Sequence, residues 1–286
     1  MKRSFLILGV LVVLIMTMLV GAYYYYYCNW KHMWSIASTC EIYKIDKVDD
    51  DTIRVLIIGD SWAANHSWMQ MDSFLQERLE ERVTKPVAVK SKGRGGEKSK
   101  GIYQLLFQSE GDGTKKLFLS GADYCIISAG INDAAANWGT EQFCAHYLKI
   151  INFLLFNGVC PVVIEIPNVD IKGLYKGKNT KDSFVDFLRS TMTHSGMYNY
   201  PEYREALFAM LDENGLRDKV LIVSLRDWYG DSAEMNWSFF LNDGIHLNHQ
   251  GYELLDTGIA TAIANDLREK SISESVNEPM GQYAQY

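Results

Sequence analysis

The chain predicts an α/β fold built on a five-stranded parallel sheet and preceded by an apolar N-terminal segment. Three observations lead there. Short apolar runs alternate with amphipathic stretches of helical period from residue 53 to residue 268. Three of those runs are followed closely by a polar block containing glycine: Gly59-Asp60-Ser61, Gly93-Arg94-Gly95-Gly96 and Gly130-Ile131-Asn132-Asp133. The chain has 286 residues, 48% of them hydrophobic, which suffices for one large core.

The elements follow in order. Strand one is Ile53–Ile58, a β-branched run. A helix over Ala64–Glu81 sets Phe74, Leu75 and Leu79 on one face. Strand two is Val87–Lys90; a glycine-rich turn through Gly96 and a helix near Ile102–Phe107 come next. Strand three is Tyr124–Ser128, then a long amphipathic helix, Glu141–Phe156. Strand four, Cys160–Ile166, is stopped by Pro167. Strand five is Val220–Leu225, and a last helix spans His249–Leu267. Between strands four and five, Asn168–Tyr203 breaks the rhythm. It carries Lys172, Lys176, Lys178 and Lys181 and a short helix at Ser183–Thr191. An insertion at that edge of a sheet either shapes a binding site or is a solvated loop. From Glu269 the chain is polar and patternless, which predicts a disordered tail.

The N-terminus begins Met1-Lys2-Arg3 and continues as an apolar stretch from Phe5 to Ala22, close to the ~20 residues that span a bilayer. Tyr23–Tyr27, Trp30 and Trp34 then form an aromatic belt suited to the headgroup zone. Lys2 and Arg3 favour a cytoplasmic start, so the rest of the chain lies outside the cytoplasm. An uncleaved anchor is the preferred reading. The alternative is a signal peptide cleaved after Val20-Gly21-Ala22, which exports the domain equally. The expected layout is therefore an anchor (1–27), a juxtamembrane segment (28–52), the α/β domain (53–268) and a tail (269–286). The net charge of −7 argues against a nucleic-acid partner, because there is no basic surplus to neutralise phosphates. Of the five cysteines, Cys28 and Cys40 are the expected pair and Cys125 reads as a small buried hydrophobe. No His or Cys spacing suits a metal, and no nucleotide fingerprint is complete, so no cofactor is expected.

A parallel sheet points the carboxyl ends of its strands at one edge, where ligands bind. Ser61, Gly96, Asn132 and His246 each follow a strand and so share that edge. Ser61 starts a helix, which exposes its hydroxyl and places its own N–H among the unpaired donors of a helix start. Asp243 stands three residues before His246. In a turn, that spacing lets the carboxylate hold Nδ1–H and leaves Nε2 free to take the Ser61 proton. The remaining histidines, His66 and His249 included, lack such a carboxylate partner in the same turn. Asn132 offers a neutral amide donor and Gly96 a backbone N–H, so Ser61, Gly96 and Asn132 form a candidate oxyanion hole. Asp133 reads as a brace for the Asn132 loop.

This pattern resembles the SGNH, or GDSL-type, hydrolases. Gly59-Asp60-Ser61 is similar to their first block, Gly93-Arg94-Gly95-Gly96 to the second, Gly130-Ile131-Asn132-Asp133 to the third and Asp243-Gly244-Ile245-His246 to the fifth. The chain departs from the usual pattern at two places: Trp62 stands where a smaller aliphatic side chain is common, and Gly95-Gly96-Glu97 replaces Ser-Gly-Asp. The resemblance implies a flavodoxin-like three-layer fold and hydrolysis of acyl esters on carbohydrates or lipids. With the anchor, it points to an extracytoplasmic serine esterase acting on O-acetylated carbohydrate or a related ester. An O-acyltransferase for a polysaccharide and an inactive glycan-binding protein are the alternatives. An α/β-hydrolase is disfavoured, because its acid normally lies well before the histidine rather than in the same turn.

Overall fold

The computed structural model describes residues 2–169, 199–225, 228 and 237–277, with a few isolated positions between 180 and 187. It comprises two compact units, residues 1–37 and residues 38–286. The first is one helix, α1 (Lys2–Trp34). Its stretch Ser4–Tyr25 has mean hydropathy 2.9, and none of it is buried in protein. Length and composition are those of a bilayer-crossing helix or a signal sequence.

The second unit is organised by five parallel strands: β1 (Ile53–Gly59), β2 (Val87–Gly93), β3 (Tyr124–Ser128), β4 (Cys160–Ile164) and β5 (Leu221–Val223). Their order is β2-β1-β3-β4-β5. After α1, eight further α-helices occur among the described residues: α2 (Ser61–Trp68), α3 (Met71–Glu80), α4 (Ser99–Leu105), α5 (Lys115–Phe118), α6 (Ile131–Ala136) and α7 (Thr140–Phe156), then α8 (Tyr200–Glu213), with α9 (His249–Asn277) closing the fold. One layer holds α2, α3 and α9, the last lying on α3 and β5; the other holds α4, α7 and α8. With helices on both faces, the central strands bury successive residues. Val55, Ile58, Cys125, Ile126, Ile127, Val162 and Val163 form the inner core.

Register brings the sequence blocks together. Gly59 pairs with Gly93 on one side and with Ser128 on the other, all at the carboxyl edge. A Cβ on Gly59 would run into the Ser128 carbonyl, and one on Gly93 would lie 2.7 Å from the Ala64 nitrogen and closer still to the Asp60 carbonyl. The two glycines therefore let the start of α2 sit directly on the strand ends.

Several elements differ from the sequence expectation. The single helix expected over Ala64–Glu81 is two helices, broken at Gln70, whose φ of 60° is left-handed. The break turns Met71, Leu75 and Leu79 into the core and leaves Trp68 exposed and Phe74 half-buried under Arg78. Strands four and five are shorter than expected. The Glu165 carboxylate accepts from the Ser224 hydroxyl and the Leu225 N–H at 2.9 and 2.8 Å, replacing the next rungs of the ladder. The expected tail is helical as far as Asn277. There the Asp266–Lys270 pair (2.7 Å) and hydroxyl bonds from Ser271 and Ser273 to carbonyls three residues back support a solvated helix without an apolar face. Residues 278–286 lie outside the described part. So does most of the expected Ser183–Thr191 helix, although Ser183, Phe184 and Phe187 are helical.

The segment before β1 is not a free linker. Tyr103 Oη accepts from the Cys40 N–H at 3.1 Å, the Tyr43 hydroxyl donates to the Leu106 carbonyl at 2.8 Å, and the Ile45 N–H donates to Asn157 at 2.9 Å. The Tyr43 ring packs on Phe107 and Phe153. The compact unit thus begins at Ser38. All five cysteines are free thiols, so the expected Cys28–Cys40 bond is not made; the two residues belong to different units.

Candidate active site

Asp60, at the turn between β1 and α2, organises the carboxyl edge. Its Oδ1 accepts from the Trp62 N–H (3.0 Å), capping α2, and from the Ser128 hydroxyl (2.9 Å). Its Oδ2 accepts from Asn132 Nδ2 at 3.3 Å. Burial pushes the Asp60 carboxyl up to about 6, while the Trp62 N–H, the Ser128 hydroxyl and the nearby His246 pull the other way. Since Asp60 caps the helix, the half-buried Ser61 at its first position is free for chemistry.

The second block closes a turn in which the Glu97 N–H donates to the Arg94 carbonyl at 3.1 Å. Gly96 has a φ of 73° there. A Cβ on it would meet nothing within 4 Å, so this glycine is needed for its backbone conformation rather than for clearance. Asn132 ties the blocks together, its Nδ2 donating to the Glu97 carbonyl at 3.0 Å as well as to Asp60. Asn132 lies in the short helix α6, which the sequence did not announce. Asp133 is fully buried and accepts from the Ser99 N–H (3.0 Å) and hydroxyl (2.6 Å), bracing α6 against α4. Burial pushes its carboxyl up to about 6.

The fifth block is a tight turn. Asp243 Oδ1 accepts from the N–H groups of Ile245 and His246, both at 2.9 Å, and Oδ2 meets His246 Nδ1 at 2.6 Å. Partial burial raises the Asp243 carboxyl, but the His246 ring and the two N–H groups outweigh it and hold the group below the usual carboxylate range. The pairing fixes the ring tautomer with Nε2 outward.

Trp62 joins the two ends of the chain. Its indole Nε1 donates to the Ile245 carbonyl at 2.9 Å, and its own carbonyl accepts from the Tyr252 hydroxyl at 2.9 Å. The ring stacks on Trp228 at 6.0 Å and touches Phe240. The residues next to Ser61 and next to His246 are therefore in direct contact. The structure brings Ser61, Gly96 and Asn132 to one edge, and Trp62 draws the Asp243–His246 turn over it. Sequence reasoning treated Trp62 only as a departure and Asp60 only as part of the first block. The available signal was a large ring bearing an N–H donor directly after the serine.

The fold and this arrangement define an ester hydrolase of the SGNH type. The profile of the GDSL-like Lipase/Acylhydrolase family matches residues 57–254, and the chain belongs to that family. Solved structures share the fold at low identity. A lipase/acylhydrolase from Enterococcus faecalis is 16% identical with a TM-score of 0.55, over 75% of this chain and 96% of that one. The acetyl xylan esterase AlAXEase is 17% identical with a TM-score of 0.53, over 74% and 100%. The esterase EstA from Pseudoalteromonas sp., solved with monoethylphosphonate as inhibitor, is 15% identical with a TM-score of 0.50, over 77% and 100%. No curated protein matches the chain in sequence.

Proposed function

We propose that the protein is a serine esterase that removes O-acetyl groups from carbohydrate, with α1 as a membrane anchor and the catalytic unit outside the cytoplasm. The observation that carries the chemistry is the Asp243–His246 pair, held at 2.6 Å and fastened through Trp62 to the helix that begins with Ser61. Ser61 Oγ attacks the ester carbonyl while His246 Nε2 takes its proton. The Ser61 and Gly96 N–H groups and the Asn132 amide receive the developing oxyanion, the substrate oxygen displacing the longer 3.3 Å contact to Asp60. The imidazolium, stabilised by Asp243, gives the proton to the leaving alcohol. Water then attacks the acyl-serine with His246 as base, releasing acetate and restoring the hydroxyl. The acetyl xylan esterase neighbour supports acetyl on a sugar; the Lys2-Arg3 start before the apolar stretch supports the outward placement.

Two experiments test this reading. A p-nitrophenyl alkylphosphonate probe, losing nitrophenolate as Ser61 Oγ bonds to phosphorus, should label Ser61 and no other residue, read by peptide mass, and acetylated oligosaccharides should release acetate. Labelling elsewhere, or acetate release that survives labelling, counts against it. Asn132→Ala should lower kcat for a chromogenic acetyl ester by about 10²-fold with little change in KM, because its donor acts on the oxyanion rather than on the ground state.

A further inference from the structure

A second histidine sits under the site and takes no part in the steps above. His66, on α2, is buried, as is Asp256 on α9. His66 Nδ1 meets Asp72 Oδ1 at 2.7 Å and Nε2 meets Asp256 Oδ1 at 3.0 Å. Asp72, on α3, also accepts from the Ser91 hydroxyl and, at 3.0 Å, from the Ser91 N–H on β2. The Tyr252 ring on α9 stands edge-on to the imidazole at 5.6 Å. Asp256 Oδ2 has no hydrogen-bond partner, and His66 supplies the side-chain hydrogen bond and the larger of the favourable charges that the carboxyl meets. His249, at the start of α9, acts on Asp256 through space.

We propose that His66 is a positioning residue for ester cleavage: gripped by carboxylates from α3 and α9, it fixes the helix that starts with Ser61 against the helix that follows His246. The proposal rests on the Ser61–His246 reading given above. The geometry supplies the reason. Ser61 opens α2 and His66 lies five residues on; His246 stands three residues before α9, and Asp256 is in its second turn. Bonded at both nitrogens, the ring ties α2 to α3 through Asp72 and to α9 through Asp256, which sets the spacing and rotation of α2 against both. The buried Trp62 fastens the same two parts beside Ser61, and His66 fastens them one turn further along α2. A 1 Å error between nucleophile and base costs about 10²-fold in rate.

Burial opposes a charge on His66, but the hydrogen bonds and charges of Asp256 and Asp72 prevail and push it up to about 9. The folded value lies above the unfolded ~6.5. The stabilisation is therefore complete below about 6.5 and is lost as pH rises through about 9.

The test uses the full-length protein in detergent, with a chromogenic acetyl ester and circular dichroism to confirm folding at the assay temperature. His66→Gln should lower kcat ten- to hundredfold with KM within threefold. Asp256→Asn, which removes one of the two groups holding the proton, should move the alkaline limb of kcat down by at least one pH unit. Ser61→Ala separates the two readings. Full activity in it refutes the Ser61 assignment, whatever His66 does. An inactive Ser61→Ala together with unchanged kcat and alkaline limb in both His66→Gln and Asp256→Asn overturns the positioning role alone. Should either variant fail to fold, ¹⁵N-imidazole spectra of the wild type decide: an alkaline limb of kcat that coincides with deprotonation of the His66 ring supports the proposal, and a limb that does not coincide overturns it.

Discussion

Ser61→Ala is expected to lower kcat for acetyl ester hydrolysis by on the order of 10⁶-fold, and His246→Ala by a similar factor. The two act as one unit: the hydroxyl is a weak nucleophile without a base, and the base has nothing to deprotonate without the hydroxyl. The double variant should therefore be no slower than either single one. Residual rate above water would come from the oxyanion donors, which both substitutions leave in place. Loss of activity in Ser61→Ala will not reflect unfolding. Asp60 caps α2, so the serine side chain carries no duty in the helix start. Thermal unfolding should match the wild type, and steady-state kinetics with active-site titration will check the rest. Wild-type kcat in either variant would remove the proposed chemistry.

Asp243→Asn carries the second large effect, about 10⁴-fold in kcat. The amide keeps one oxygen for the Ile245 and His246 N–H groups, so the turn survives. At the other oxygen position an NH₂ donor now faces His246 Nδ1, which must become an acceptor. The ring proton moves to Nε2, and the base is lost where Ser61 needs it. The wild-type carboxyl is held below its usual range, so it is ionised throughout the neutral and mildly acidic region. Whatever stability its ionised form contributes is present above the unfolded ~3.9 and is lost only as pH falls through the lower folded value. The deficit in Asp243→Asn should accordingly be constant across the neutral range. A pH–rate profile in which the variant recovers toward neutrality would contradict this role.

The sheet was legible because its central strands are buried on both faces. Unbroken apolar runs such as Tyr124–Ser128 read as strands whatever their neighbours, and the structure reproduces that one residue for residue. The blocks at the strand ends were legible for a related reason: a parallel sheet needs sharp turns where its strands meet the helices, and glycine marks them. What escaped has a common cause. The break at Gln70 leaves the apolar count unchanged, since Trp68 and Met69 fit a continuous helix as well as an interrupted one. The docking of Cys40, Tyr43 and Ile45 depends on partners between 60 and 115 residues away, which no local pattern contains. Asp60 and Trp62 were in plain view, but their importance comes from Ser128, Asn132 and Ile245, and only the assembled edge brings these together. The helical stretch beyond Leu267 was missed because it is held by local polar contacts rather than by an apolar stripe.

The bond between Trp62 and Ile245 joins positions 183 residues apart. In synthesis the proposed nucleophile, Ser61, therefore precedes its proposed base by most of the length of the α/β unit. On the proposed chemistry, Ser61 gains its base only when the Asp243–His246 turn docks through Trp62, so the activity belongs to the assembled unit and to no shorter stretch of it.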